Sequence, residues 1–194
     1  MPSTLSKLHD AAARGSVERT VALLSQGSVD IDGGCGDVGR APLMVASTTG
    51  YLRVVRVLLR LGAGVSVADN DGATALHLSI VNKHLAVSKA LVKAGADLEA
   101  RGVDGMPLHV AAAKGFHKGM VMLIHAGANV DAVHAISWCW PSAFEKSTPI
   151  VRMLPGLKRR ASKPRMLLAA LSRYNNKQDG PFLGYSPDQN GGAR

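Results

Sequence analysis

Aromatic side chains are scarce in this 194-residue chain, at 4% of residues. A core of stacked rings is thereby excluded, while the abundant Ala, Leu, Val and Gly suit small, closely packed helices. Cysteine is nearly absent as well: Cys35 and Cys139 lie far apart and form no C-x-x-C. Two free thiols in a reducing compartment are expected, rather than a disulfide framework. No apolar run reaches the about 18 residues of a membrane-spanning helix. The opening MPSTLSKLHDAAARG lacks the apolar stretch of a secretory signal. A cytoplasmic location is therefore expected. The usual hydrolase, metalloprotease and phosphate-loop motifs, G-x-S-x-G, H-E-x-x-H and G-x-x-x-x-G-K-[ST], do not occur. Neither an enzyme nor a bound cofactor or metal is expected.

What is present is an apolar fraction of 46%, enough for a core, in a length that suits one domain or one domain with a tail. The net charge of +9 is unevenly placed. Residues 1–132 hold 13 Lys and Arg against 11 Asp and Glu, a surplus of 2. Residues 133–194 hold 10 against 3, a surplus of 7. The basic character belongs mainly to the C-terminal third.

Laid on itself, the chain repeats. Four blocks of 20 residues superpose without a gap: LHDAAARGSVERTVALLSQG (8–27), LMVASTTGYLRVVRVLLRLG (43–62), LHLSIVNKHLAVSKALVKAG (76–95) and LHVAAAKGFHKGMVMLIHAG (108–127). Their anchors Leu8, Leu43, Leu76 and Leu108 are 35, 33 and 32 residues apart. Each block reads as two short helices. The first is rich in Ala and ends near Gly15, Gly50 or Gly115, where glycine can take the left-handed conformation that stops a helix. The second carries apolar residues at helical spacing, such as Val54, Val55, Leu58 and Leu59, and ends at Gly27, Gly62, Gly95 or Gly127. Helices this short are not stable alone and must stack.

The stretch DGATALHLSIVNKHLAVSKALVKAGADLEA resembles an ankyrin repeat, whose usual opening is close to G-x-T-P-L-H-x-A. GRAPLMVA (39–46), DGMPLHVAAAKG (104–115) and the pairs Gly62-Ala63, Gly95-Ala96 and Gly127-Ala128 fit the same pattern. Departures exist: only the third block keeps Thr74, and there Ala75 replaces Pro. The resemblance implies an all-α fold, an ankyrin-repeat solenoid of helix-turn-helix units with β-hairpin-like loops, plus a C-terminal tail. Residues 1–132 then form four repeats, at about 8–35, 36–68, 69–101 and 102–132. SWCWPSAFEKSTPIVRML lies within 133–157, which reads as a degenerate fifth repeat or cap. Residues 158–194 read as a basic tail, partly helical and then disordered.

GGCGDVG (33–39) contains G-x-G-x-x-G, the spacing of a dinucleotide-binding turn. It falls where a hairpin belongs, with Gly39 in the place of Gly72 and Gly105. VDID is a poor buried strand, and position 59, where an acid is needed, is a Leu. The glycines are assigned to the hairpin. His9, His77 and His109 recur at one place in three repeats. Stacked helices sit about 8–10 Å apart, too far for these rings to share one metal at about 2.1 Å. A structural role is expected, bonding local backbone and, in the third block, Thr74.

KRRASKPR (158–165) is a dense basic run. It reads as a solvated tail, a nuclear-localisation or nucleic-acid contact, or a site resembling basophilic kinase substrates with Ser162 as acceptor. PRMLLAALSRY (164–174) reads as a helix that packs on the solenoid end or binds a partner.

The resemblance implies a non-catalytic interaction module, a scaffold or adaptor, that binds another protein on a concave surface of hairpin tips and first helices. The expected partner-binding residues are Arg40, Asp69, Asn70, Arg101 and Asp104 at hairpins, and Thr48, Thr49, Asn82 and Lys114 on first helices. A monomer is expected. The alternatives are association with nucleic acid or an anionic surface through the basic tail, which would place the chain in the nucleus, and a fragment of a larger multidomain protein.

Overall fold

A computed structural model of the chain describes residues 3–27 and 29–129. The expected fifth repeat or cap at 133–157, the tail at 158–194 and Ser162 lie outside the described residues. Eight helices follow one another in pairs: α1 (Thr4–Ala13) with α2 (Val17–Ser25), α3 (Pro42–Thr49) with α4 (Leu52–Arg60), α5 (Ala75–Val81) with α6 (Leu85–Lys93), and α7 (Pro107–Ala113) with α8 (His117–His125). The described residues form an all-α solenoid. α1, α3, α5 and α7 pack in a row, and α2, α4, α6 and α8 pack in a second row beside it.

The sequence sets the starts of α1, α2, α3, α5 and α7. Ser3 and Ser16 accept hydrogen bonds from the amides of Ser6 (3.1 Å) and Arg19 (3.4 Å), capping α1 and α2. Pro42 and Pro107 stand at the first position of α3 and α7, where a missing N–H costs nothing. Thr74 caps α5 together with His77. Each stop repeats as well. The amides of Ser16, Tyr51, His84 and Phe116 bond back to Ala11, Ala46, Ser79 and Ala111 across the turn between paired helices. The amides of Ala63, Ala96 and Ala128 bond back to Leu58, Leu91 and Leu123, each at 3.0 Å. This explains the Gly-Ala pairs: the glycine takes the left-handed turn, and the buried alanine closes it against the core.

Packing follows the repeat. The anchors Leu8, Leu43, Leu76 and Leu108 are all buried, as are the second-helix residues Leu58, Leu91 and Leu123. Burying each such side chain stabilises the fold by about 2 kcal/mol. Ala46, Ser47, Ser79, Ala111 and Ala112 are buried where first helices meet, and their small size permits that approach. Ser79 and Ser88 hydroxyls meet at 2.8 Å and satisfy each other between α5 and α6. α2 buries only Thr20, as suits the helix of an atypical first repeat.

The turn after α5 breaks the glycine pattern. Lys83 stands where the other repeats have Gly15, Gly50 and Gly115, and it adopts the same left-handed conformation, φ 60°. No helix among the described residues is long and apolar enough to cross a membrane.

Candidate functional site

Three connectors join the helix pairs, and each folds into a hairpin held by an isolated antiparallel bridge: Cys35 with Arg40, Ala68 with Thr74, and Gly102 with Gly105. The GGCGDVG stretch is the first of these. Cys35 and Arg40 exchange backbone hydrogen bonds of 3.0 and 3.2 Å, and Gly36 and Gly39 take positive φ in the turn between them. A Cβ on Gly34 would lie 2.6 Å from the Gly39 carbonyl oxygen, so glycine is required by close approach.

The hairpins stack by a bond that recurs at equivalent residues. The Asn70 amide donates to the Val38 carbonyl, and the Val103 amide donates to the Asp71 carbonyl, both at 3.0 Å. The Asn70 side-chain amide adds a bond to the Asp37 carbonyl at 3.0 Å. Histidines tie two of the first helices, α1 and α5, to the next hairpin. His9 Nε2 donates to the Arg40 carbonyl (2.6 Å), and His77 Nε2 donates to the Gly105 carbonyl (3.0 Å). Both acceptors stand three residues before the next anchor leucine. His77 Nδ1 accepts from the Thr74 amide (3.2 Å) and meets the Thr74 hydroxyl at 2.9 Å, as the sequence leads one to expect. That geometry needs the neutral ring. Burial lowers the His77 pKa from its ordinary 6.5, against the bonds to Gly105 and Ala100 and the charges of Asp69 and Asp104, which raise it. His109 Nδ1 accepts from the Met106 amide (3.0 Å), and its Nε2 is buried without a partner among the described residues. Among the described residues, no group of three His, Cys, Asp or Glu could hold a metal.

Asp69 departs from the expectation of an exposed hairpin contact. It is 7% exposed. One carboxylate oxygen accepts from the amides of Asp71 (3.1 Å) and Ala73 (2.8 Å), and the other lies 3.5 Å from Arg40 Nε. A turn aspartate reads as a surface residue until its backbone partners are known. Arg40 is half-buried beside it. Asn70, Arg101 and Asp104 are exposed on the hairpins.

On the first helices, Thr48 is half-buried and Thr49 exposed, with hydroxyls donating to the Met44 (2.9 Å) and Val45 (3.1 Å) carbonyls. Asn82 and Lys114 are exposed at the ends of α5 and α7. Thr49, Asn82 and Lys114 occupy equivalent places, six residues after their anchors. Two members of this surface escaped the sequence reading. Arg14 begins the same row and pairs with Asp10 at 2.8 Å. Counting six residues from Leu8 would have found it. Val103, 78% exposed at the third hairpin tip, is the second. It stands level with Asn70 and Asp37, and an apolar residue at a turn was the available signal.

Comparison with known proteins agrees with this architecture. A family model for ankyrin repeats (3 copies) matches residues 8–102 and 61–134. The human B-cell lymphoma 3 protein is 35% identical over 134 residues, covering 65% of this chain and 29% of that protein. The human ankyrin repeat and SOCS box protein 16 is 37% identical over 122 residues, covering 62% and 26%. The probable 26S proteasome regulatory subunit p28 of Saccharomyces cerevisiae is 31% identical over 135 residues, covering 68% and 57%. The chain thus spans under a third of the first two relatives and just over half of the third. Its repeats are of the kind that serve other proteins as interaction modules. The chain belongs to the ankyrin-repeat family.

Proposed function

We propose that this chain is a non-catalytic adaptor that binds one partner protein on the surface made by its hairpin tips and the ends of its first helices. The observation that carries this reading is the row Thr49, Asn82 and Lys114 beside the tips Asn70, Arg101, Val103 and Asp104. These residues differ in chemistry at equivalent places, while the core beneath them repeats. The hairpins are cross-bonded to one another, so the surface is formed before a partner arrives and little ordering entropy is lost on binding. A standard interface of about 800 Å² per partner fits on three or four such repeats. Asp69 is left out of this surface, because its carboxylate is committed to the hairpin backbone. The chain acts as a monomer inside the cell, where the free thiol of Cys35 stays reduced.

A pull-down with the full chain tests the proposal. The partner is expected to stay bound at high salt and after nuclease. It is expected to be lost when Thr49→Ala, Asn82→Ala and Lys114→Ala are combined. Retention by that triple variant would contradict the proposal. Loss on salt or nuclease would instead move binding to the basic run 158–165.

A further inference from the structure

The second row of helices carries a feature that partner recognition by the hairpins does not use. Between α4 and α6 lies a groove of about 470 Å³, lined by Leu52, Leu59, Ala86 and Ala90 and flanked by Arg56, Arg60, Lys89 and Lys93. All four cations are exposed. None pairs with a carboxylate or makes a side-chain hydrogen bond to a described residue. Neither α4 nor α6 contains an acid.

The four are related by the repeat: Arg56 and Lys89 stand at one position, Arg60 and Lys93 at another. Along each helix they are four residues apart, about 6 Å at 1.5 Å per residue. Across the groove the helix axes are about 8–10 Å apart. The result is a compact rectangle of positive charge over an apolar floor. Repeats one and four break it, with Val21 and Ser25 in α2 and Val121 and His125 in α8. Favourable interaction with the helix dipole accounts for Arg60 and Lys93, which lie in the last turn of each helix. It does not account for Arg56 and Lys89 at mid-helix. Like charges at i and i+4 weaken a helix, so the arrangement carries a cost.

We propose that this groove is a second docking surface, which takes an acidic amphipathic segment of a partner protein. Carboxylates on such a segment, spaced i and i+4, match the cation spacing along α4 and α6. Apolar side chains between them meet Leu52 and Leu59. The chain's own C-terminal part is a poor match in charge for the groove, because residues 133–194 hold 10 Lys and Arg against 3 acids. The apolar floor offers nothing to a phosphate backbone, and no aromatic lines the groove to stack on a base. The surface is separate from the hairpin residues of the first proposal, and the two stand or fall independently.

The test is fluorescence anisotropy of a labelled helical peptide with Glu at i and i+4 and Leu on the same face, titrated with the full chain. Binding is expected for the wild-type chain and is absent when Gln replaces each Glu of the peptide. Combining Arg56→Gln, Arg60→Gln, Lys89→Gln and Lys93→Gln weakens it at least ~10-fold, and Lys89→Gln alone weakens it ~2-fold or more. Unchanged melting temperatures of both variants exclude unfolding, and the single variant serves if the quadruple one does not fold. The combination Thr49→Ala, Asn82→Ala and Lys114→Ala leaves the peptide affinity unchanged, as do Lys158→Gln, Arg159→Gln and Arg160→Gln together. The proposal is overturned if the wild-type chain does not bind the peptide, or if binding is lost in the 158–160 variant instead. It is also overturned if a single-stranded oligonucleotide or phosphatidylserine vesicles bind through these four cations and the peptide does not.

Discussion

The connectors 26–41, 61–74 and 94–106 hold eight acids against Arg40 and Arg101, while α4, α6 and α8 hold six Lys and Arg and no acid. The two regions differ in what their charges do. Five of the eight connector acids, Asp30, Asp32, Asp69, Asp97 and Glu99, accept from backbone amides. Asp69 accepts from two, Asp32 accepts from Gly64 in the next connector (2.8 Å), and Glu99 accepts from Asn129 (2.7 Å). The cations Arg56, Arg60, Lys89 and Lys93 are tied to nothing described. The comparison teaches that charge in this solenoid is sorted by task. Acids such as Asp69 build the hairpins that hold repeat to repeat, and Arg56, Arg60, Lys89 and Lys93 are left for solvent or a partner. Removing Asp69, Asp32 or Glu99 is therefore a question of stability, and removing one of these four cations a question of binding.

The sharpest way to break the comparison is Asp69→Ala. It strips two part-buried amides of their acceptor and leaves Arg40 without its pair, at a cost of about 3 kcal/mol. The shift of the denaturant midpoint measures it, and a shift as small as that of a surface substitution would undo the distinction. Gly50→Ala follows, at about 2 kcal/mol. Gly50 has φ 83°, and a Cβ there would lie 2.7 Å from the His84 ring, whose Nε2 donates to the Thr48 carbonyl. The reverse exchange, Lys83→Gly, relieves the left-handed lysine and is expected to raise stability by about 1 kcal/mol.

Acidification probes the hairpin histidine. The folded-state pKa of His77 lies below its ordinary 6.5, so the unfolded chain takes up the proton first. Its contribution is intact above pH 6.5 and is lost as the pH falls below that value. Thermal melts across this range should decline toward acid, and His77→Gln should flatten the decline. The smallest effect is expected for Arg56→Gln and Lys89→Gln, each within about 0.5 kcal/mol of wild type. A large loss of stability in either would show that the outer cations are structural after all.

Much of the fold was legible in the sequence because the repeat writes its packing at fixed intervals. The anchor leucines, the Gly-Ala pairs and the alanines of the first helices all fell where the structure uses them. The same logic placed GGCGDVG in a hairpin and paired His77 with Thr74. Three features were not legible. Asp69 looks like any turn aspartate, and its burial follows from a bridge to Thr74's neighbourhood that pairing, not composition, creates. α1 begins at Thr4, four residues ahead of its anchor, because Ser3 provides a cap. The left-handed Lys83 shows that the fold imposes this turn even without glycine. The proposed recognition surface was legible only as positions. The residues on it repeat in place and not in chemistry, so the sequence points to a surface without naming its partner.

The most direct measurement is amide hydrogen exchange on the full chain, alone and with the partner captured by pull-down. The account predicts added protection at the hairpins 36–39, 69–72 and 102–105 and at the ends of α3, α5 and α7. Protection confined to residues 158–194, with the hairpins unchanged, would contradict it.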